Sequence, residues 1–209
     1  MLTNKQLRML ELLDKKVDKC PLCSLKDNGT ALPHWTEDSR YVIIGESPNM
    51  SDVRSKRPFM GAGGRVLREI LSTVGLKSKD FLIINSVQCV PDYRGSNGKP
   101  DLGQLEYCKG YIRKYIKVIN PEKILCLGNY AKYIFTHEVQ GVLRQRGVFN
   151  EWDIGGGYIY PVMFTVNPNY CVYNPEEGKR FLREDIMKFK EAYFGERIDW
   201  LFKEDEFLI

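Results

Sequence analysis

The 209-residue chain has no apolar run long enough to span a bilayer, so no transmembrane helix is expected. It has no secretory pattern either. Met1 to Lys5 leads straight into a charged amphipathic stretch, so a reducing, cytoplasmic compartment is expected and disulfides are disfavoured. Internal repeats and low-complexity linkers are absent, which excludes solenoids and tethered arrays. No Gly-Lys-Ser/Thr follows the glycines at 61, 63 and 64, so they are not a P-loop and serve better as a tight turn into a helix. Strong charge of one sign is missing as well. A net charge of +4 permits a polyanionic partner without demanding one. What remains is an ordinary apolar content of 43%, enough for one globular domain with a substantial core.

The hydrophobic pattern alternates between two kinds of segment. Thr3 and Gln6 have the spacing of a capping box, and leucines at 7, 10, 12 and 13 continue on one helical face to about Val17. Short apolar runs at 41–44, 81–84 and 123–127 read as buried strands, and 159–166 as a fourth. Pro161 suggests an edge position or a late start for that one. Helices are expected over 63–74, 105–119, 129–135 and 181–194, and a loop over 91–103. The expected fold is therefore α/β: a three-layer sandwich with a mainly parallel four-stranded sheet and helices on both faces. Ligands in such folds bind beyond the carboxyl ends of the strands. Gly45-Glu46, Asn85 and Asn167 each sit at or just past such an end.

Six cysteines are present. Cys20 and Cys23 form Cys-Pro-Leu-Cys, and Cys89 and Cys108 follow far downstream. Together they supply the four thiolates that a [4Fe–4S] cluster or a structural zinc ion requires. Cys126 lies inside an apolar run and reads as a core thiol. Between the cysteine pairs stand Gly45-Glu46-Ser47-Pro48 and Arg57-Pro58-Phe59-Met60-Gly61, then Asn85. Taken singly these are bland. Phe59 alone reads as a core aromatic, Asn85 as a turn cap and Glu46 as a solvated loop acid.

Their order and spacing, over about the first 170 residues, resemble the iron–sulfur class of uracil-DNA glycosylases, family four. The resemblance implies an enzyme of base-excision repair that flips a uracil or related pyrimidine out of DNA and cuts its N-glycosidic bond. It implies that Phe59 stacks on the base, that Asn85 reads the base's amide edge with its donor and acceptor, and that Glu46 positions water or stabilises the cationic sugar. Asp52 falls near the base edge, and the amides after Gly45 face base or phosphate oxygens. Cys20, Cys23, Cys89 and Cys108 become the cluster ligands.

Two departures from the family pattern stand out. Asn167-Pro168-Asn169 replaces His-Pro-Ser, exchanging an imidazole donor for a neutral amide; related mismatch-specific glycosylases carry Asn-Pro-Ser. Asn49 replaces a glycine and is expected to tolerate an unusual backbone there. Tyr170, Val172 and Tyr173 are candidate wedge residues. The rival class is a catalytically weak or inactive DNA-binding protein on the same fold. The expected organisation is one monomeric glycosylase-like domain over 1–195. Residues 196–209 form a tail that either packs on the domain or docks in a replication protein such as a sliding clamp.

Overall fold

A computed structural model describes residues 1–92 and 98–194. The proposed tail at 196–209 and the domain boundary at 195 lie outside the described residues. The elements in chain order are α1 (Asn4–Asp18), β1 (Tyr41–Gly45), α2 (Met50–Ser55), α3 (Ala62–Thr73), β2 (Phe81–Asn85), α4 (Leu102–Ile119), β3 (Ile124–Leu127), α5 (Asn129–Thr136), α6 (Val142–Gln145), β4 (Phe149–Asp153), β5 (Ile159–Thr165), α7 (Pro168–Tyr173) and α8 (Pro175–Glu191).

The strands form one sheet in the order β2-β1-β3-β5-β4. The first four run parallel, with Gly45 directly opposite Asn85 at the ends of β1 and β2. The α/β sandwich is as expected, but among the described residues the sheet has five strands, not four. The added strand, β4, pairs antiparallel with β5 at the edge. Its sequence, Phe-Asn-Glu-Trp-Asp, carries exposed polar residues because only part of it is covered. Polar side chains are the usual protection of an edge strand, and they hide it from a search for apolar runs. Pro161 lies on β5, one strand in from the edge. The parallel ladder between β3 and β5 begins only at Val162, so the proline precedes the part of β5 that is paired on both sides.

Alternation along the strands divides the core in two. Val42, Ile44, Leu82, Ile84, Ile124 and Cys126 face α1, α4 and α5. Tyr41, Ile43, Phe81, Ile83, Leu125 and Met163 face α3, α7 and α8. Burial on both faces explains the unbroken apolar runs of the parallel strands. The helix ends are closed chemically. Thr3 and Gln6 form the expected capping box, Asp101 and Gln104 form another at α4, and Asn167 caps α7. Buried Lys123 donates to the carbonyls of Phe189, Lys190 and Ala192, which satisfies the C-terminal end of α8.

Candidate active site

Because β1, β2 and β5 are parallel, their carboxyl ends share one rim, and the polar residues that follow them meet there. Asn167 Nδ2 donates to Glu46 Oε2 at 3.0 Å. The same carboxamide's Oδ1 accepts the Asn169 N–H at 2.9 Å, so the network sets its orientation. The other oxygen of Glu46, Oε1, lies 2.7 Å from Lys99 Nζ. The Glu46 side chain is 14% exposed. Sequence reasoning missed Lys99, since a single lysine in a Gly/Pro-rich loop carries no periodic signal.

Gly45 is where the base-reading candidates converge. A Cβ there would lie 2.4 Å from Asn85 Oδ1, 2.4 Å from Phe59 Cζ and 2.7 Å from Phe59 Cε2. Only a hydrogen atom fits between the amide and the ring. Asn85 is 2% exposed, and its Nδ2 has no hydrogen-bond partner among the described residues. A buried, unpaired donor is costly, and such a group calls for a partner, a ligand or an ordered water.

Phe59 has a positive φ of 61°, which is uncommon for an aromatic residue. Three contacts hold it. Arg68 Nη1 donates to the Phe59 carbonyl at 2.7 Å, and Asp52 Oδ1 accepts the Met60 N–H at 2.6 Å. Gly64 then lets the chain pass, since a Cβ there would lie 1.6 Å from the Phe59 oxygen. Asp52 is buried, and its second oxygen accepts the Asn49 N–H at 3.0 Å. Burial pushes its carboxyl up, while the Asn49 and Met60 amides pull it back. One oxygen thus holds the backbone next to Phe59, and the other holds the cap of α2. Asn49 is ordinary extended backbone, φ −114° and ψ 176°, so no unusual dihedral is needed. It is present as the cap of α2, accepting from the Ser51 and Asp52 amides.

Of the candidate wedge residues, Tyr173 is 82% exposed and Val172 is exposed. Tyr170 instead packs on the core and donates to Glu177 at 2.6 Å.

All four predicted ligand cysteines, Cys20, Cys23, Cys89 and Cys108, line one pocket whose other walls include Val17, Leu22, Leu25 and Val87. Cys89 Sγ is in hydrogen-bond contact with Thr30 Oγ1 at 3.3 Å. Burial pushes the Cys108 thiol up to about 12. The Gln88 N–H opposes this, and the nearby Cys23, Cys89 and Cys20 add to it. Among the described residues, no three His, Cys, Asp or Glu side chains converge closely enough for one metal ion. Cys126 is fully buried in β3, as expected of a core thiol.

An aromatic ring and a buried carboxamide facing each other across a glycine, beside a carboxylate, form a site for a flat ring with an amide edge. With the parallel-sheet rim, this makes the chain an α/β protein with a candidate site at the carboxyl ends of its strands. The family model of the uracil DNA glycosylase superfamily matches residues 33–199, and the chain belongs to that superfamily. It is similar to the Type-4 uracil-DNA glycosylase of Pyrobaculum aerophilum, 37% identical over 92% of this chain and 95% of that one. The proteins of the same name from Saccharolobus solfataricus and Thermotoga maritima are 32% and 31% identical. They match over 88% and 87% of this chain, and over 86% and 93% of their own.

Proposed function

We infer that this protein is a DNA N-glycosylase that excises uracil from DNA. The observation that carries the reading is the unpaired, buried Asn85 amide set against Phe59 over Gly45, next to Glu46. In this reading a flipped uracil stacks on Phe59, and Asn85 gives its NH2 to a base carbonyl while its oxygen accepts the ring N–H. The bond between base nitrogen and C1′ breaks, and its electron pair leaves with the base. Glu46 stabilises the cationic sugar and holds the water that adds to C1′; that water's proton passes to the Glu46 carboxylate, and the departing base anion takes a proton from solvent. Asn167 anchors Glu46 and offers a neutral amide beside the leaving group. Asp52 acts one step back: it holds the loop that presents Phe59.

The four-cysteine pocket offers the four thiolates that an iron–sulfur cluster takes, with a zinc ion as the alternative. An apolar pocket of four soft donors fits that chemistry. Cys20, Cys23, Cys89 and Cys108 would hold the group as thiolates, which its positive charge would favour, and in doing so would tie the segment after α1 to the β2–α4 loop and to α4. Iron and acid-labile sulfide should be recovered with the purified protein. They should be lost in Cys108→Ser and retained in Cys126→Ser, whose sulfur lies in the sheet.

The deciding assay is release of free base from oligonucleotides carrying uracil, hydroxymethyluracil or hypoxanthine, with Glu46→Gln alongside. Uracil release that falls in Glu46→Gln is expected. DNA binding without release of any base would replace this reading with the non-catalytic one. Binding should weaken as salt rises, because phosphate contacts release counterions.

A further inference from the structure

We propose that Lys99 is a positioning residue for base excision, acting through Glu46; this rests on the role given to Glu46 above. Glu46 lies in the β1–α2 connection, where neither strand nor helix fixes a long side chain. Its two oxygens are taken by partners from distant parts of the chain: Asn167 at the start of α7 and Lys99 at 2.7 Å from the segment before α4. The three side chains form a row, ammonium, carboxylate, carboxamide, across the rim.

The contact differs from an ordinary surface ion pair, which contributes little because both groups are solvated. The lysine side chain is 53% exposed, but the carboxylate it reaches is 14% exposed. The Tyr130 ring stands 5.5 Å from Nζ, so an aromatic face also borders the ammonium. The lysine's own backbone is well anchored. Buried Pro100 follows it, and Asp101 caps α4 through the Gln104 amide. Cys108 lies further along that same helix, so the pocket of four cysteines and the carboxylate are joined by one rigid element. Lys99 thereby holds Glu46 in register with Asn167 and supplies a fixed positive charge at a rim where Asn167 supplies none.

The rival role for a half-exposed lysine in a DNA-handling protein is a phosphate contact, and the two roles separate kinetically. Single-turnover uracil release at saturating enzyme, and affinity for abasic-site DNA across a salt series, would be measured for wild type, Lys99→Met and Lys99→Arg. The expected result is a maximal rate lowered about tenfold in Lys99→Met, the scale of coupling between charged neighbours. DNA affinity should be unchanged, and most of the rate should return in Lys99→Arg. In a Glu46→Gln background Lys99→Met should slow the reaction no further. A wild-type maximal rate in Lys99→Met, with weaker binding and a salt slope reduced by about one, would overturn the proposal in favour of a phosphate contact. An equal loss from Lys99→Met in the Glu46→Gln background would also overturn it. Failure of the wild type to release uracil is a different outcome: it removes the assigned function, and this role with it.

Discussion

Replacing Gly45 by alanine tests the heart of the site. Its φ is not in the left-handed region, so alanine suits the backbone and should gain about 0.4–1 kcal/mol by restricting the unfolded chain. Sterics oppose this. The new methyl would sit 2.4 Å from both Asn85 Oδ1 and Phe59 Cζ, where ordinary contacts are about 3.5–4.0 Å. The Phe59 main chain cannot yield easily, because Arg68, Asp52 and the close passage at Gly64 hold it. The ring must therefore turn away. Overpacking of this kind costs about 1–3 kcal/mol, which leaves a net loss of about 0–2.5 kcal/mol after the backbone gain. At about 2–4 °C per kcal/mol, the melting temperature should fall by at most about 10 °C. Activity should suffer more. Stacking on an aromatic ring is worth about 1–3 kcal/mol, so uracil release should slow by about 5- to 150-fold. Thermal melts and single-turnover release measure the two effects. Adding Phe59→Ala to Gly45→Ala should relieve the contact with the ring but not that with Asn85 Oδ1, and it removes the packing of Phe59 on the core, so the melting temperature should stay below that of the wild type and release should stay slow. A Gly45→Ala protein with wild-type melting and wild-type rate would refute the reasoning, because ring and amide could then not lie over this residue in the working enzyme.

Asn85→Ala should slow uracil release by at least about tenfold through loss of the base contacts, yet barely lower the melting temperature, because its buried Nδ2 has no hydrogen-bond partner among the described residues. A large drop in melting would expose a hidden partner. Asn167→His should raise uracil release about tenfold by restoring a stronger donor, while loss of the Asn167 cap on the Asn169 N–H lowers stability by about 0.5–2 kcal/mol; an unchanged rate would show that this donor does not limit the reaction. Burial holds the Asp52 carboxyl above its ordinary 3.8, so just above that pH the folded protein keeps a proton that the unfolded chain has released. Stability from this group then falls as pH rises through that window. The melting margin of wild type over Asp52→Asn should therefore narrow as pH rises above 3.8, and a margin that widens would show that the Asn49 and Met60 amides outweigh burial.

Much of this protein is legible in one dimension because its physics is local. The apolar runs of β1, β2 and β3 mark strands buried on both faces. Such strands must run parallel between helices, and parallel strands bring Gly45, Asn85 and Asn167 to one rim. The capping pair Thr3 and Gln6 and the core placement of Cys126 follow equally from short-range patterns. The edge strand β4 is not legible, because a partly covered strand has no apolar run to reveal it. The backbone duties of Asp52 and Asn49 are hidden too, since a carboxylate facing a base and one binding two amides have the same letter. The pairing of Lys99 with Glu46, 53 residues apart, is decided only by the tertiary structure. An ion pair has no period and no fixed spacing; it exists because two loops, each tied to a different rigid element, end within 3 Å of one another.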